Sequence, residues 1–301
     1  MLLQQNFIYP MNVGNLSSNS SSTTAATSSL SLVSRQFLSI TNRLQFSLTI
    51  RKQTRHFLPR LFHRLTNLTS LNFSCYYYYG DLNKLLCEIS HFPLKLTSLN
   101  LSNKYTFPSN GLRTFSQKIT TLTSLICSKI VSLHNSDMFL IANCFPNLQM
   151  LDLSHCRNIS EVGICHVLRK CCKIRHLDLT FCSKVKLLGL NFEVCKLESL
   201  NLSYTTVDDE ALFVISKSCR GLVQLSVKGC YDVTKKGVKY VVENCTQLSG
   251  INLRHCSPMH PIVVVSMIHS SPSLRKIIAP GRYDFSFKER ELLSRQGRLV
   301  C

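Results

Sequence analysis

Acidic residues are scarce in this chain of 301 residues, which has 16 Asp and Glu against 35 Lys and Arg and a formal net charge of +19. Such an excess of positive charge favours acidic partners or polyanions and makes association sensitive to salt, but it does not select a fold. The cations are scattered over the sequence without an aromatic-lined groove. Nucleic acid is therefore not the expected partner.

Long hydrophobic runs are also missing. No run of about 18 apolar residues occurs, so we predict neither a membrane-spanning helix nor a membrane partner. The start of the chain has neither the basic region nor the apolar core of a secretory signal peptide, and we expect a cytoplasmic or nuclear location. An organelle-targeting leader is an alternative, because residues 1–80 contain no acid and many Ser. Against it, the first basic residue is only Arg35.

The motifs of common enzyme classes are absent. The chain has no Gly-x-Ser-x-Gly, no P-loop, no His-Glu-x-x-His and no paired carboxylates in a shared setting. His155 and Cys156 are neighbours at a predicted strand end, so their side chains point apart and do not form a dyad. We therefore expect a protein that is not an enzyme and that needs no cofactor.

No Cys-x-x-Cys pair occurs among the 15 cysteines. This absence argues against a metal site, for which Cys171-Cys172 and Cys165-His166 are the best local candidates. Many of the cysteines recur instead at one position of a repeat. We predict reduced thiols that pack as small hydrophobic residues inside an intracellular protein.

The repeat is clearest between Leu148 and Cys256. The pattern Leu-x-x-Leu-x-Leu-x-x-Cys runs from Leu148 to Cys156 and returns down the chain, with Thr205 at the cysteine position of one copy. A fixed period of about 20–29 residues with this leucine spacing is typical of leucine-rich repeats. The five starts, at 148, 174, 197, 222 and 248, are separated by 26, 23, 25 and 26 residues.

Further copies extend the array to nine, between Leu68 and Ala279. Each strand motif is followed by an amphipathic stretch, for example Glu161 to Lys170, which predicts a helix. The fold class predicted is α/β: a leucine-rich-repeat solenoid, or horseshoe, with parallel concave strands and convex helices. Strands are expected near residues 71–73, 99–101, 123–127, 149–153, 175–179, 198–202, 223–227 and 249–253.

The sequence divides into four parts. Residues 1–29 are rich in Ser, Thr and Asn and are predicted to be disordered, because they cannot bury enough apolar surface. Residues 30–60 form a helical segment and N-terminal cap, and residues 61–280 form the repeats. Residues 281–301 form a C-terminal cap, with a helix predicted from Phe287 to Gln296.

Outward-pointing residues of the strand motifs form columns on the predicted concave face. Phe181 and Tyr204 are neighbours in one column, with acids on their N-terminal side and cations on their C-terminal side. A protein ligand with a basic end, an apolar centre and an acidic end would match this order, although ordinary solvated positions are the alternative. The residues expected to bind the partner are Asp152, His155, Asp178, Phe181, Asn201, Tyr204, Lys228, Asn252, Arg254 and His255.

Two further features are open to structural test. The loop Tyr76 to Tyr79 is either a second contact for a partner or an edge loop folded over the N-terminal cap. Two groups of cysteines are expected to be buried, one at the motif ends and one at the ends of the convex helices. They are Cys156, Cys182, Cys230 and Cys256 in the first group, and Cys144, Cys171, Cys195, Cys219 and Cys245 in the second.

The segments 143–156 and 222–238 resemble the cysteine-containing subclass of leucine-rich repeats, and this resemblance covers about residues 60–301. Proteins of that subclass are mostly F-box/leucine-rich-repeat proteins, especially in plants. Leu30 to Arg43 is similar to the second half of a plant F-box, whereas the Ser/Thr-rich stretch 15–29 stands where the first helix should be. The resemblance implies that Leu30, Val33 and Phe37 are the remnant of a surface for a Skp-type adaptor.

The resemblance also implies a function. In that family the F-box binds the adaptor of a cullin-type (SCF) ubiquitin ligase, and the repeats hold the substrate for ubiquitin-dependent degradation. The expected protein is such a non-catalytic substrate-recognition subunit, with a protein substrate on its concave face. The alternative is a free leucine-rich-repeat interaction protein that has lost adaptor binding with the first half of the F-box.

Overall fold

The computed structural model describes residues 35–76, 81–256, 267, 271–280 and 299–300. The predicted disordered leader 1–29, the predicted cap helix from Phe287 to Gln296 and the residues Leu30 and Val33 lie outside the described residues. Phe37 lies in the first described helix, Arg35–Leu44.

One parallel sheet of eleven strands runs through the described part of the chain, with the strands in sequence order. The motif leucines pair in exact register: Leu71 lies opposite Leu99, and Leu99 lies opposite Leu125. The strands are β1 Ser47–Thr49, β2 Ser70–Asn72, β3 Ser98–Asn100, β4 Ser124–Ile126, β5 Met150–Asp152, β6 His176–Asp178, β7 Ser199–Asn201, β8 Gln224–Ser226, β9 Gly250–Asn252, β10 Lys276–Ile278 and β11 Leu299–Val300.

The strands are shorter than several of the predicted ranges. Each of β2 to β10 has three residues, because the side chain at the last strand position turns the backbone away. Asp152, for example, accepts a hydrogen bond from the Ser154 N–H at 2.8 Å. This local bond, an Asx turn, gives the backbone an alternative to the sheet.

Helices follow most of the strands. A short 3₁₀ helix, Lys52–Phe57, lies between β1 and α2. The α-helices are α1 Arg35–Leu44, α2 Leu58–Arg64, α3 Leu82–Ser90, α4 Ser109–Lys118, α5 Asn135–Cys144, α6 Glu161–Lys170, α7 Asp209–Ser218 and α8 Lys235–Asn244.

One repeat departs from the prediction that every strand motif is followed by a helix. Between β6 and β7 the chain forms turns and no helix. This is the shortest repeat, with 23 residues between motif starts. The segment is held by its neighbours instead, since the Leu188 N–H donates to the Glu161 carboxylate at 3.0 Å and the Val194 N–H donates to the Ser218 carbonyl at 2.7 Å.

The core is a continuous column of the motif side chains. Leu148, Leu151 and Leu153 of one repeat are at most 1% exposed, and the equivalent residues of the other described repeats are buried in the same way. The first layer is closed by Leu58 and Phe62 of α2. A solenoid needs such a cover, because its end layer has no neighbouring repeat.

The cysteines at the motif ends are buried and unpaired, as predicted. Their thiols donate to a carbonyl of the preceding repeat: Cys156 Sγ lies 3.1 Å from the Cys127 oxygen, and Cys182 Sγ lies 3.2 Å from the Leu153 oxygen. The prediction for the second group was wrong at Cys195, which is exposed because its repeat has no helix, and only partly right at Cys144, which is half-buried. The other members, Cys171, Cys219 and Cys245, are buried.

Candidate functional site

The residue before each motif cysteine has an unusual backbone conformation. Phe181, for example, has a φ of 60°, in the left-handed region that side chains with a Cβ rarely adopt. Its N–H donates to the Ser203 carbonyl of the next repeat at 2.9 Å, so the same geometry propagates from repeat to repeat. The residues of this column are Asn103, Lys129, His155, Phe181, Tyr204, Gly229 and His255.

Three aromatic side chains stack in the middle of this column. The rings of His155 and Phe181 have centroids 4.5 Å apart at an interplanar angle of 23°, and those of Phe181 and Tyr204 are 4.5 Å apart at 9°. We call His155, Phe181 and Tyr204 the aromatic ladder. The sequence predicted Phe181 and Tyr204 as neighbours, and the structure brings them together and adds His155 to the stack.

Gly229 closes one end of the aromatic ladder. A Cβ at Gly229 would lie 2.4 Å from two ring carbons of Tyr204. The Tyr204 ring therefore lies directly over the Gly229 backbone, where any larger residue would displace it. All three rings are half-buried, because stacking covers their faces and leaves their edges toward solvent.

Cations flank the aromatic ladder at both ends. Lys228 Nζ lies 5.4 Å from the centre of the Tyr204 ring. At the other end, burial and then the positive charges of Lys129 and Arg157 lower the pKa of His155. A lowered pKa favours the neutral imidazole near pH 7, so His155 joins the stack as an uncharged ring.

The other predicted cations lie beyond Gly229. Arg254 and His255 are both exposed. Arg254 belongs to the same column as Lys228, one repeat further on, and His255 belongs to the column of the aromatic ladder. They extend the positive rim towards the C-terminal repeats.

The predicted polar column of Asp152, Asp178, Asn201 and Asn252 serves the backbone. Each side-chain Oδ1 accepts a hydrogen bond from the N–H two residues later, at 2.8 to 3.1 Å. Asn201 also donates to the Asp178 carboxylate at 2.9 Å. The prediction that this column is exposed was wrong for Asn252, which is 6% exposed, and the other three are half-buried.

The two acids of this column are held in an unfavourable environment for charge. Burial and the neighbouring Asp178 carboxylate raise the pKa of Asp152 to about 6. Burial also raises the pKa of Asp178. The acids therefore form part of the turns beside the aromatic ladder and offer little free negative charge to a ligand.

Sequence reasoning missed two sets of residues near this site. Lys129 occupies the same repeat position as His155, one repeat earlier, and the column would have included it if the motif had been extended in that direction. On the strands, Arg175 forms an ion pair with Glu198, and His176 is half-buried beside them in β6. The signal for these was the fixed position between the first two motif leucines.

Two other sequence candidates are placed by the structure. Tyr76 is buried, at 2% exposure, whereas Tyr77 to Tyr79 lie outside the described residues. Within the part of the chain that the structure describes, no cluster of three or more His, Cys, Asp or Glu is arranged to hold a metal ion. No helix among the described residues is long and apolar enough to cross a membrane.

No family model matches the chain. It is 29% identical over 142 residues to the antagonist of mitotic exit network protein 1 of Eremothecium gossypii, which covers 42% of this chain. The chain thus spans only 36% of the length of that curated relative.

Solved structures share the architecture. Rad7, from the yeast complex of Rad7 with Elc1, is similar with a TM-score of 0.60 at 15% identity over 84% of this chain and 73% of that one. The leucine-rich-repeat protein LegL7 of Legionella pneumophila is similar with a TM-score of 0.58 at 16% identity over 90% of this chain and 93% of that one. At these identities the likeness shows the fold, and the predicted leucine-rich-repeat solenoid is confirmed.

Proposed function

We propose that this chain is a non-catalytic protein-binding module whose aromatic ladder and flanking cations hold an acidic segment of a partner protein. The observation that carries the proposal is the uninterrupted stack of His155, Phe181 and Tyr204 between positive side chains. Aromatic groups of this kind are frequent anchors at protein interfaces, and charges at the rim set specificity and the rate of association.

The chemistry of the partner follows from how the rings are presented. Stacking hides the ring faces, which carry the negative part of the quadrupole, and leaves the positive edges outward. Lys228 at one end, and Lys129 and Arg157 at the other, add full positive charges. A segment with acidic residues on both sides of an apolar centre therefore fits better than one with a basic end, because Asp152 and Asp178 are used in turns.

A set of three synthetic peptides tests this chemistry. All have the same leucine-rich centre, and their flanks are acidic at both ends, basic at one end and acidic at the other, or basic at both ends. Binding measured by fluorescence anisotropy should weaken in that order, and the acidic peptide should lose affinity as salt is raised. Equal binding of all three peptides would contradict the proposed site.

A double substitution tests the location. Phe181→Ala with Tyr204→Ala should weaken the acidic peptide at least tenfold, since a central aromatic contact typically contributes about 2 kcal/mol or more. The matched control is Phe213→Ala with Tyr240→Ala, because these rings also pair, at 5.0 Å, under a lysine on the opposite, helical side. Unchanged binding in the first variant, with a native circular dichroism spectrum, would move the site elsewhere.

We further propose that the module works as the substrate-recognition subunit of a cullin-type (SCF) ubiquitin ligase, directing ubiquitin-dependent degradation. The support is the similarity of Leu30 to Arg43 to the second half of an F-box, together with the helix Arg35–Leu44 within that segment. Leu30, Val33 and Phe37 are the residues assigned to the adaptor contact. The alternative, a free interaction protein, keeps the acidic-segment site and loses only the ligase.

Co-precipitation with a purified Skp-type adaptor separates these two functions. The full chain should capture the adaptor, and Val33→Asp should abolish capture without changing binding of the acidic peptide. The aromatic double substitution should do the reverse. Failure of the unmodified chain to bind the adaptor would support the free interaction protein.

A further inference from the structure

A second cavity lies at the N-terminal end of the solenoid, far along the sheet from the aromatic ladder. It has a volume of about 490 Å³ and lies between α2, α3 and the segments that precede them. Ligand-binding cavities commonly enclose about 300–1,000 Å³. Its walls are mainly apolar and include Leu58, Phe62, Leu85, Ile89 and Phe92.

One polar atom at this cavity has no partner. Tyr76 lines the cavity, is 2% exposed, and its hydroxyl is buried without a hydrogen bond. A buried hydroxyl that bonds to nothing is costly, and native structures contain few. An acceptor atom on a bound molecule would supply the missing bond.

The position of Tyr76 is fixed from the next repeat. Lys104 is 8% exposed, and its Nζ donates to the Phe73 carbonyl at 2.6 Å and to the Tyr76 carbonyl at 2.9 Å. The Tyr76 ring also packs edge-on against Phe73, with centroids 6.3 Å apart. The hydroxyl is thus held at the cavity by a rigid backbone and a rigid ring, so it is pre-organised for a ligand.

Positive side chains line the same cavity. Lys52, Arg55 and His56 come from the 3₁₀ helix Lys52–Phe57. The acid among the lining residues is Glu88, which forms a long ion pair with Arg55 at 3.6 Å. Because both partners of this pair are partly exposed, Arg55 can exchange Glu88 for an anionic ligand at small cost.

We propose that this cavity binds a small amphipathic anion, with an apolar body against α2 and α3 and one carboxylate or similar head group near Arg55 and His56. The body replaces water on the apolar wall, and an acceptor atom of the ligand takes the Tyr76 hydroxyl hydrogen. The site is independent of the aromatic ladder, and it would let a small molecule report to the N-terminal cap of the solenoid.

Isothermal titration of the full chain with decanoate, decan-1-ol and decyltrimethylammonium tests the proposal. Decanoate should bind saturably at one site and at least tenfold more tightly than the alcohol or the cation. No saturable binding of decanoate would overturn the proposal, including the case in which the chain's own residues 1–34 or 77–80 fill the cavity. Equal binding of the three compounds would overturn it as well.

Two substitutions locate the binding. Tyr76→Phe should weaken decanoate about three- to tenfold, and it should raise the melting temperature of the ligand-free protein because the unpaired hydroxyl is gone. Arg55→Gln should weaken decanoate about tenfold. The matched controls are Tyr105→Phe, at a residue 78% exposed, and Lys239→Gln, which breaks an ion pair of 3.7 Å with Glu243. Decanoate binding that neither test variant changes would place the ligand elsewhere and overturn the proposal.

Discussion

Raising the pH above 9 should unfold the solenoid. Nine cysteines of the described part are almost fully buried, and burial is the first cause that raises the pKa of each thiol. The raised values are about 11 for Cys156 and Cys165 and about 12 for Cys171, Cys219, Cys245 and Cys256.

The size of the effect follows from proton linkage. In the unfolded chain the thiols ionise near their ordinary pKa of 9.0, whereas in the folded chain they stay neutral until the raised pKa is reached. The stability is therefore complete below pH 9 and is lost as pH rises towards 11 to 12. Between pH 8 and 10 each thiol costs about 1.3 kcal/mol, so nine cost about 12 kcal/mol.

One buried lysine acts in the opposite direction. Burial lowers the pKa of Lys104 from 10.5 to about 8, so the folded state loses that proton before the unfolded state does. This restores about 2 kcal/mol between pH 8 and 10. The net loss of about 10 kcal/mol is comparable with the whole free energy of unfolding of an ordinary domain, about 5–15 kcal/mol.

Urea unfolding followed by circular dichroism, at several pH values and under a reducing agent, measures the effect. The slope of the unfolding free energy against pH gives the number of protons released on unfolding. Cys230→Thr should reduce that number by about one, because Thr205 already occupies the equivalent position in a neighbouring repeat. Cys172→Ser, at an exposed cysteine, is the control. A fold whose unfolding free energy is the same at pH 8 and pH 10 would refute the reasoning.

Three further outcomes are expected. Gly229→Ala should cost about 2–3 kcal/mol in urea unfolding, because it combines a left-handed φ of 68° with the contact to Tyr204, and a neutral effect would show that the ring is elsewhere. Asp152→Asn should stabilise the protein by about 1–2 kcal/mol at pH 7 and no longer at pH 4, since the raised pKa of about 6 penalises the charged form above it. Mass spectrometry after alkylation without reduction should find no disulfide among the motif cysteines, and a stoichiometric bridge would contradict the reduced state.

The repeat architecture was predictable because its determinants are local and recur. Leu148, Leu151 and Leu153 report both the strand and its buried face, and the same spacing returns at a constant period. The missing helix between β6 and β7 was not predictable from the leucines, because they set the sheet and not the convex side. The repeat length of 23 residues was the available warning, and the exposure of Cys195 follows from it.

The site was predictable in part. The period placed Phe181 beside Tyr204, but it gave no indication that Asp152 and Asp178 would turn back to their own backbone. Other repeats carry Asn at that position, for example Asn72 and Asn100, which make the same bond to the N–H two residues later. A column that alternates between Asp and Asn needs a hydrogen-bond acceptor and no charge, and this signal identifies turn residues from the sequence.

The aromatic ladder itself combines strain and compensation. His155, Phe181 and Tyr204 each hold a left-handed φ that costs a residue with a Cβ about 1–2 kcal/mol, whereas Gly229 holds it without that cost. The two stacked pairs return about 0.5–1.5 kcal/mol each, so stacking offsets only part of the strain. The remaining cost is met by the repeats that fix this backbone through hydrogen bonds to the next turn. Stability alone would favour glycine or asparagine in this column, which makes three consecutive aromatic rings an argument for a surface that contacts a partner.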